Sequence, residues 1–128
     1  MNTGKSLLRF TSALLAVIAI MTFANRADPH SFPEEQHPSA GETVTAPPSE
    51  VVIKFDAPIE KLFAKIEVLD AAGKNDAIGA PAIDSDAKTM TIKVATLSPG
   101  QYRVKWSVVC IDSHHTEGSY QFTVVPGS

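Results

Sequence analysis

The feature that most constrains this chain is a two-residue rhythm. In "EVVIKFD" Val51, Ile53 and Phe55 share one face, and "FAKIEVLD" sets Ala64, Ile66 and Val68 against Lys65 and Glu67. "KTMTIKV" sets Met90, Ile92 and Val94 against Thr91 and Lys93, and "QYRVKWSVV" sets Tyr102, Val104, Trp106 and Val108 against Arg103, Lys105 and Ser107. "SYQFTVV" repeats the pattern with Tyr120, Phe122 and Val124. Successive side chains of a strand point to opposite faces, so each run offers one apolar and one solvated side. No 3.6-residue spacing competes in this part of the chain. "DAAGK" and "SPG" read as turns, with Gly73 suited to a left-handed position. Six or seven short strands in about 100 residues predict an antiparallel β-sandwich, with room for a helical turn around Ile59 to Phe63.

The N-terminal end follows different rules. "MNTGKSLLRFTSALLAVIAIMTFANRA" places Lys5 and Arg9 before an apolar run from Ala13 to Phe23 and closes in small residues. That is the layout of a secretory signal peptide, and the run is shorter than the roughly 20 residues of a spanning helix. Residues 1–27 are therefore read as a signal, with cleavage after Ala24 or Ala27, and residues 28–128 as one domain. Losing Lys5, Arg9 and Arg26 leaves eight basic against fourteen acidic side chains, a net charge of −6. An acidic surface of this kind argues against nucleic acid as a partner. The single cysteine, Cys110, excludes an intrachain disulfide, so the fold must hold without one.

Between the signal and the first strand, residues 28–49 carry Pro29, Pro33, Pro38, Pro47 and Pro48. Such a density forbids a helix and predicts an extended or irregular lead-in.

The chemistry concentrates in "VVCIDSHHTEGSY", which holds two of the four histidines beside Asp112, Glu117 and Cys110. If the strand from Gln101 continues its alternation, Cys110, Asp112 and His114 fall on one side of it. A carboxylate and an imidazole two residues apart suit copper(II) or zinc at about 2 Å. The same residues also fit a solvated loop, with Asp112 bonded to its own backbone. His115 is expected on the opposite side, and Cys110, beside Val108 and Val109, in the core.

"GQYRVKWSVVCIDSHHTEGSYQFTV" resembles the C-terminal half of the CopC family of periplasmic copper-binding proteins, with its Trp-containing strand, Asp-x-His segment and closing strand. "HSFPEEQHPSAGETVTAPPSEVVIKFDAPIE" is similar to the family's opening, and the resemblance runs over nearly all of residues 30–126. It implies an all-β fold, a single antiparallel Greek-key sandwich or barrel (immunoglobulin-like or cupredoxin-like) of about seven strands. It implies a copper(II) site, one ion, with ligands at His30, Asp112 and His114. In the family the leading histidine is the first mature residue and its amine also binds. Here Asp28 and Pro29 precede it, and proline has no N–H to give to a terminal chelate. His37, Glu34, Glu35, water or an amine exposed by trimming are the candidates for the fourth donor. Met90 is the one methionine after the signal, which argues against a separate copper(I) site.

The resemblance further implies a periplasmic, monomeric, non-enzymatic protein of copper homeostasis, with an inner-membrane copper transport protein as its partner. Two other classes are weighed against it. A metal-free sandwich serving adhesion or assembly would bind through an edge strand. A secreted copper monooxygenase would need a flat aromatic surface, and this chain has two tyrosines and one tryptophan, all at strand positions.

Overall fold

The computed structural model describes residues 31–127, and the signal segment and His30 lie outside the described residues. Eight strands form two four-stranded sheets. They are β1 (Pro33–His37), β2 (Thr43–Val44), β3 (Glu50–Phe55), β4 (Lys65–Leu69), β5 (Ala77–Ile83), β6 (Thr89–Val94), β7 (Gly100–Val109) and β8 (His115–Val124). One sheet runs β1-β3-β6-β5 and the other β2-β8-β7-β4. The pairs are antiparallel except β2 with β8, which run parallel. A single 3-10 turn at Lys61–Phe63 fills the place where the sequence leaves room for one. The expected all-β sandwich is therefore found, with eight strands rather than about seven.

The alternation predicts the core. Val51, Ile53 and Phe55 of β3, Met90, Ile92 and Val94 of β6, and Ile66 and Val68 of β4 are buried. Tyr102, Val104, Trp106 and Val108 of β7 meet them with Tyr120, Phe122 and Val124 of β8. Each large apolar side chain fully removed from water contributes about 1.5–3 kcal/mol, so these inner faces carry most of the driving force. The sheets interlock through aromatic rings. Phe55 and Trp106 meet edge to face, with centroids 5.3 Å apart at 75°. Trp106 has its own seat: it pairs across the ladder with Gly118, where a Cβ would come within 2.6 Å of the indole. Glycine is needed there because the ring lies over the backbone.

Two tyrosines show how this core treats polar atoms. The Tyr102 hydroxyl donates to the Ser98 carbonyl at 2.7 Å, and burial raises its pKa. The Tyr120 hydroxyl is buried with no hydrogen-bond partner among the described residues, and burial, with Glu42 nearby, pushes its pKa well above the ordinary value.

Three elements depart from the sequence reading. The lead-in is extended, as one of the two expectations has it, but it is also paired: Pro33–His37 with β3, and Thr43–Val44 with the end of β8. Its prolines are accommodated because Pro33 opens an edge strand, where a missing N–H costs little, and Pro38, Pro47 and Pro48 lie outside the strands. Strand β5 was not expected. Gly79 at φ 72° and Pro81 interrupt it, its register on β6 shifts between Ile78 and Ala82, and it buries no continuous face.

Candidate metal centre

The strand from Gln101 does not continue through the loop. β7 stops at Val109 and β8 starts at His115, so the expected row of Cys110, Asp112 and His114 along an extended backbone is corrected to a tight hairpin connection. The Cys110 N–H donates to the His114 carbonyl at 2.8 Å, and the Ser113 N–H donates to the Cys110 carbonyl at 2.9 Å. Ser113 takes φ 75°, the left-handed residue that ends a three-residue hairpin loop. Glycine or asparagine is the usual occupant, so serine here carries strain of order 1–2 kcal/mol.

That turn folds Asp112 back toward His114. One carboxylate oxygen accepts the His114 N–H at 3.2 Å. The other lies 3.0 Å from His114 Nδ1. Asp112 therefore bonds to the backbone as a turn aspartate does, and the same side chain also pairs with the His114 imidazole. Neighbouring donors bound at right angles to one ion, with bonds of about 2.0–2.1 Å, lie about 2.8–3.0 Å apart. The pair therefore has the spacing of two adjacent ligands, and a proton holds the same spacing as a hydrogen bond. Both side chains reach solvent, His114 at 54% and Asp112 at 35%. Among the described residues no three histidine, cysteine or acidic side chains converge.

The remaining candidates separate clearly. Cys110 turns inward and is 2% exposed, as a small apolar thiol should be. His115 faces outward on β8, with Nε2 2.8 Å from Ser107 Oγ and 4.0 Å from Glu117. His37 pairs with Val52 while Phe32 pairs with Asp56, which places the histidine roughly 15 Å farther along β1. The structure does not bring His37 to the Asp112–His114 pair. Glu34 and Glu35 face Lys54 at 4.0 and 3.5 Å instead. Met90 is wholly buried in the core, away from any solvent-facing site.

What the sequence did not reveal is how firmly the lead-in reaches this loop. Ser31 is completely buried. Its N–H donates to Cys110 Sγ at 2.9 Å, and its carbonyl accepts Thr116 Oγ1 at 2.8 Å. Its hydroxyl donates toward the carbonyls of Ala57 and Pro58, at 3.1 and 3.3 Å. Phe32 and Asp56 then exchange a pair of hydrogen bonds, at 2.8 and 2.9 Å. No periodicity marks Ser31 or Thr116, which stand 85 residues apart, so only the folded chain displays the contact. The same end of the sandwich exposes Phe32, Leu62, Phe63 and Ile111.

The fold has known counterparts. Residues 33–125 match the model of the CopC domain family. The chain belongs to the CopC family. Protein YobA of Escherichia coli K12 is 32% identical over 97 residues, which cover 74% of this chain and 78% of that protein. The CopC crystal structure from Methylosinus trichosporium OB3b is similar at TM-score 0.73 and 33% identity, over 77% of this chain and 97% of that one. PcoC of Escherichia coli, a methionine-rich copper resistance protein, is similar at TM-score 0.66 and 27% identity, over 75% of this chain and 99% of its own. This CopC-family chain departs from that description in one visible respect, since Met90 is its only described methionine and is buried.

Proposed function

We propose that this protein is an exported copper(II)-binding protein that holds one ion through His30, Asp112 and His114 and sequesters or delivers it in copper homeostasis and resistance. The observation that carries the reading is the Asp112–His114 pair, set at 3.0 Å in an exposed turn of a CopC-family sandwich. Imidazole and carboxylate are donors that the oxidised ion prefers over soft copper(I). His30 is the covalent neighbour of Ser31, which touches this loop, and that adjacency in the chain supports its assignment as a ligand. With His37 distant, water or an amine freed by processing is left as the fourth donor.

Copper is cargo in this reading, and no bond in a substrate is made or broken. His114 and Asp112 accept the ion only when deprotonated, so uptake releases protons and weakens on acidification. The signal-like leader supports a periplasmic location for the site. The exposed Phe32, Leu62, Phe63 and Ile111 favour delivery, because an apolar rim is what a receiving protein covers, and an inner-membrane copper transporter is the proposed recipient. The test is copper(II) titration of the exported protein, compared with His114→Ala. One tight equivalent in the wild type and none in the variant supports the reading. A wild type that takes up no copper specifically leaves a metal-free sandwich whose partner is a protein.

A further inference from the structure

We propose that Ser31, Cys110 and Thr116 form a latch that positions the two halves of the metal site. The inference rests on the reading of the site above and adds to it how the halves are held in register. Ser31 is a polar residue with no exposure, and burial of that kind is costly unless its polar atoms are paired. Each is paired, and the partners are not scattered. Cys110 lies just before the Ile111–Ser113 turn and Thr116 just after it, so Ser31 bridges both stems of the loop that carries Asp112 and His114. Its hydroxyl ties the bridge to the 57–58 carbonyls, and Pro58 in turn accepts the Ile111 N–H at 3.4 Å. Strand β1 does not need this contact for its own pairing, which runs from Pro33 onward on β3.

The latch fixes the point from which the chain leads back to position 30. With it closed, Ser31 is already fixed beside the loop when the ion binds. With it open, one or two residues must be ordered on binding, which weakens copper(II) binding about tenfold or more. Ser31, Cys110 and Thr116 act through other residues and are positioning groups, not ligands.

The test uses the exported full-length chain and copper(II) alone. Thr116→Val keeps the shape and removes the hydroxyl, and Thr116→Ser restores it. The latch predicts that Thr116→Val weakens copper(II) about tenfold and alters the paramagnetic resonance spectrum of the first equivalent, while Thr116→Ser returns both to wild type. Wild-type affinity and spectrum in Thr116→Val, with only a lowered melting temperature, would show a purely structural anchor and overturn the proposal. Amide hydrogen exchange of the metal-free protein separates this from failure of the copper reading. The latch requires Thr116→Val to speed exchange at Phe32 and at His114 together. Loosening at Phe32 without change at His114 overturns it even if copper never binds.

Discussion

The sandwich core and the loop end of the same molecule are specified in different ways. In the core, about fifteen apolar side chains repeat every second residue along β3, β4, β6, β7 and β8, and each reinforces its neighbours. At the loop end, position depends on a handful of polar contacts between residues far apart in sequence: Ser31 with Cys110 and Thr116, and Asp112 with His114. A redundant region tolerates local change in everything but volume. A sparse region can lose its geometry to one missing hydroxyl and still remain folded. Variants of the core should therefore cost stability and spare metal affinity per folded molecule, and variants of the loop end should do the reverse.

The strongest challenge to that contrast is Trp106→Ala, which empties the space against Phe55 and over Gly118. It should cost about 3–5 kcal/mol in chemical denaturation. The folded fraction should still bind copper with near wild-type affinity, and a parallel loss of affinity would show that core and site are not separable. Gly118→Ala drives a methyl group into the indole and should cost about 1–3 kcal/mol, with the tryptophan fluorescence shifted. Asp112→Ala sharpens the other side. It should reduce copper(II) affinity at least tenfold while lowering stability by only about 1 kcal/mol, since the lost backbone contact is exposed. Tyr120→Phe removes a buried hydroxyl that has no partner among the described residues, and should be neutral or stabilising by less than about 1 kcal/mol. Ser113→Gly relieves the left-handed strain and should raise stability by a similar amount, offset by the greater freedom of unfolded glycine.

The same division explains what could be read from the sequence. Strands with a buried face announce themselves, because burial imposes the period: Tyr102 to Val108 is inward at every second residue. β5 did not, since Gly79 and Pro81 break its pattern and none of its residues is fully buried. β1 and β2 were hidden by prolines that ordinarily signal a loop. Asp112 and His114 were legible by residue type, but a hairpin loop rather than a continued strand brings them together. Cys110 was legible as core from its apolar neighbours, and its second part, accepting the Ser31 N–H, was not. His37 was a candidate from residue type alone, and strand register removes it from the pair. The signal segment and His30 belong to the part of the chain outside the described residues.

The central claim is that the turn at Asp112 and His114 holds one copper(II) ion together with His30. The most direct measurement is copper(II) titration of the exported protein followed by electron paramagnetic resonance, with the mature terminus fixed by intact mass and His30→Ala and His114→Ala run alongside. The account predicts one tight, tetragonal, nitrogen-containing site that His114→Ala abolishes and His30→Ala weakens with a changed spectrum. Binding that survives His114→Ala unchanged, or no specific uptake at one equivalent, would contradict it.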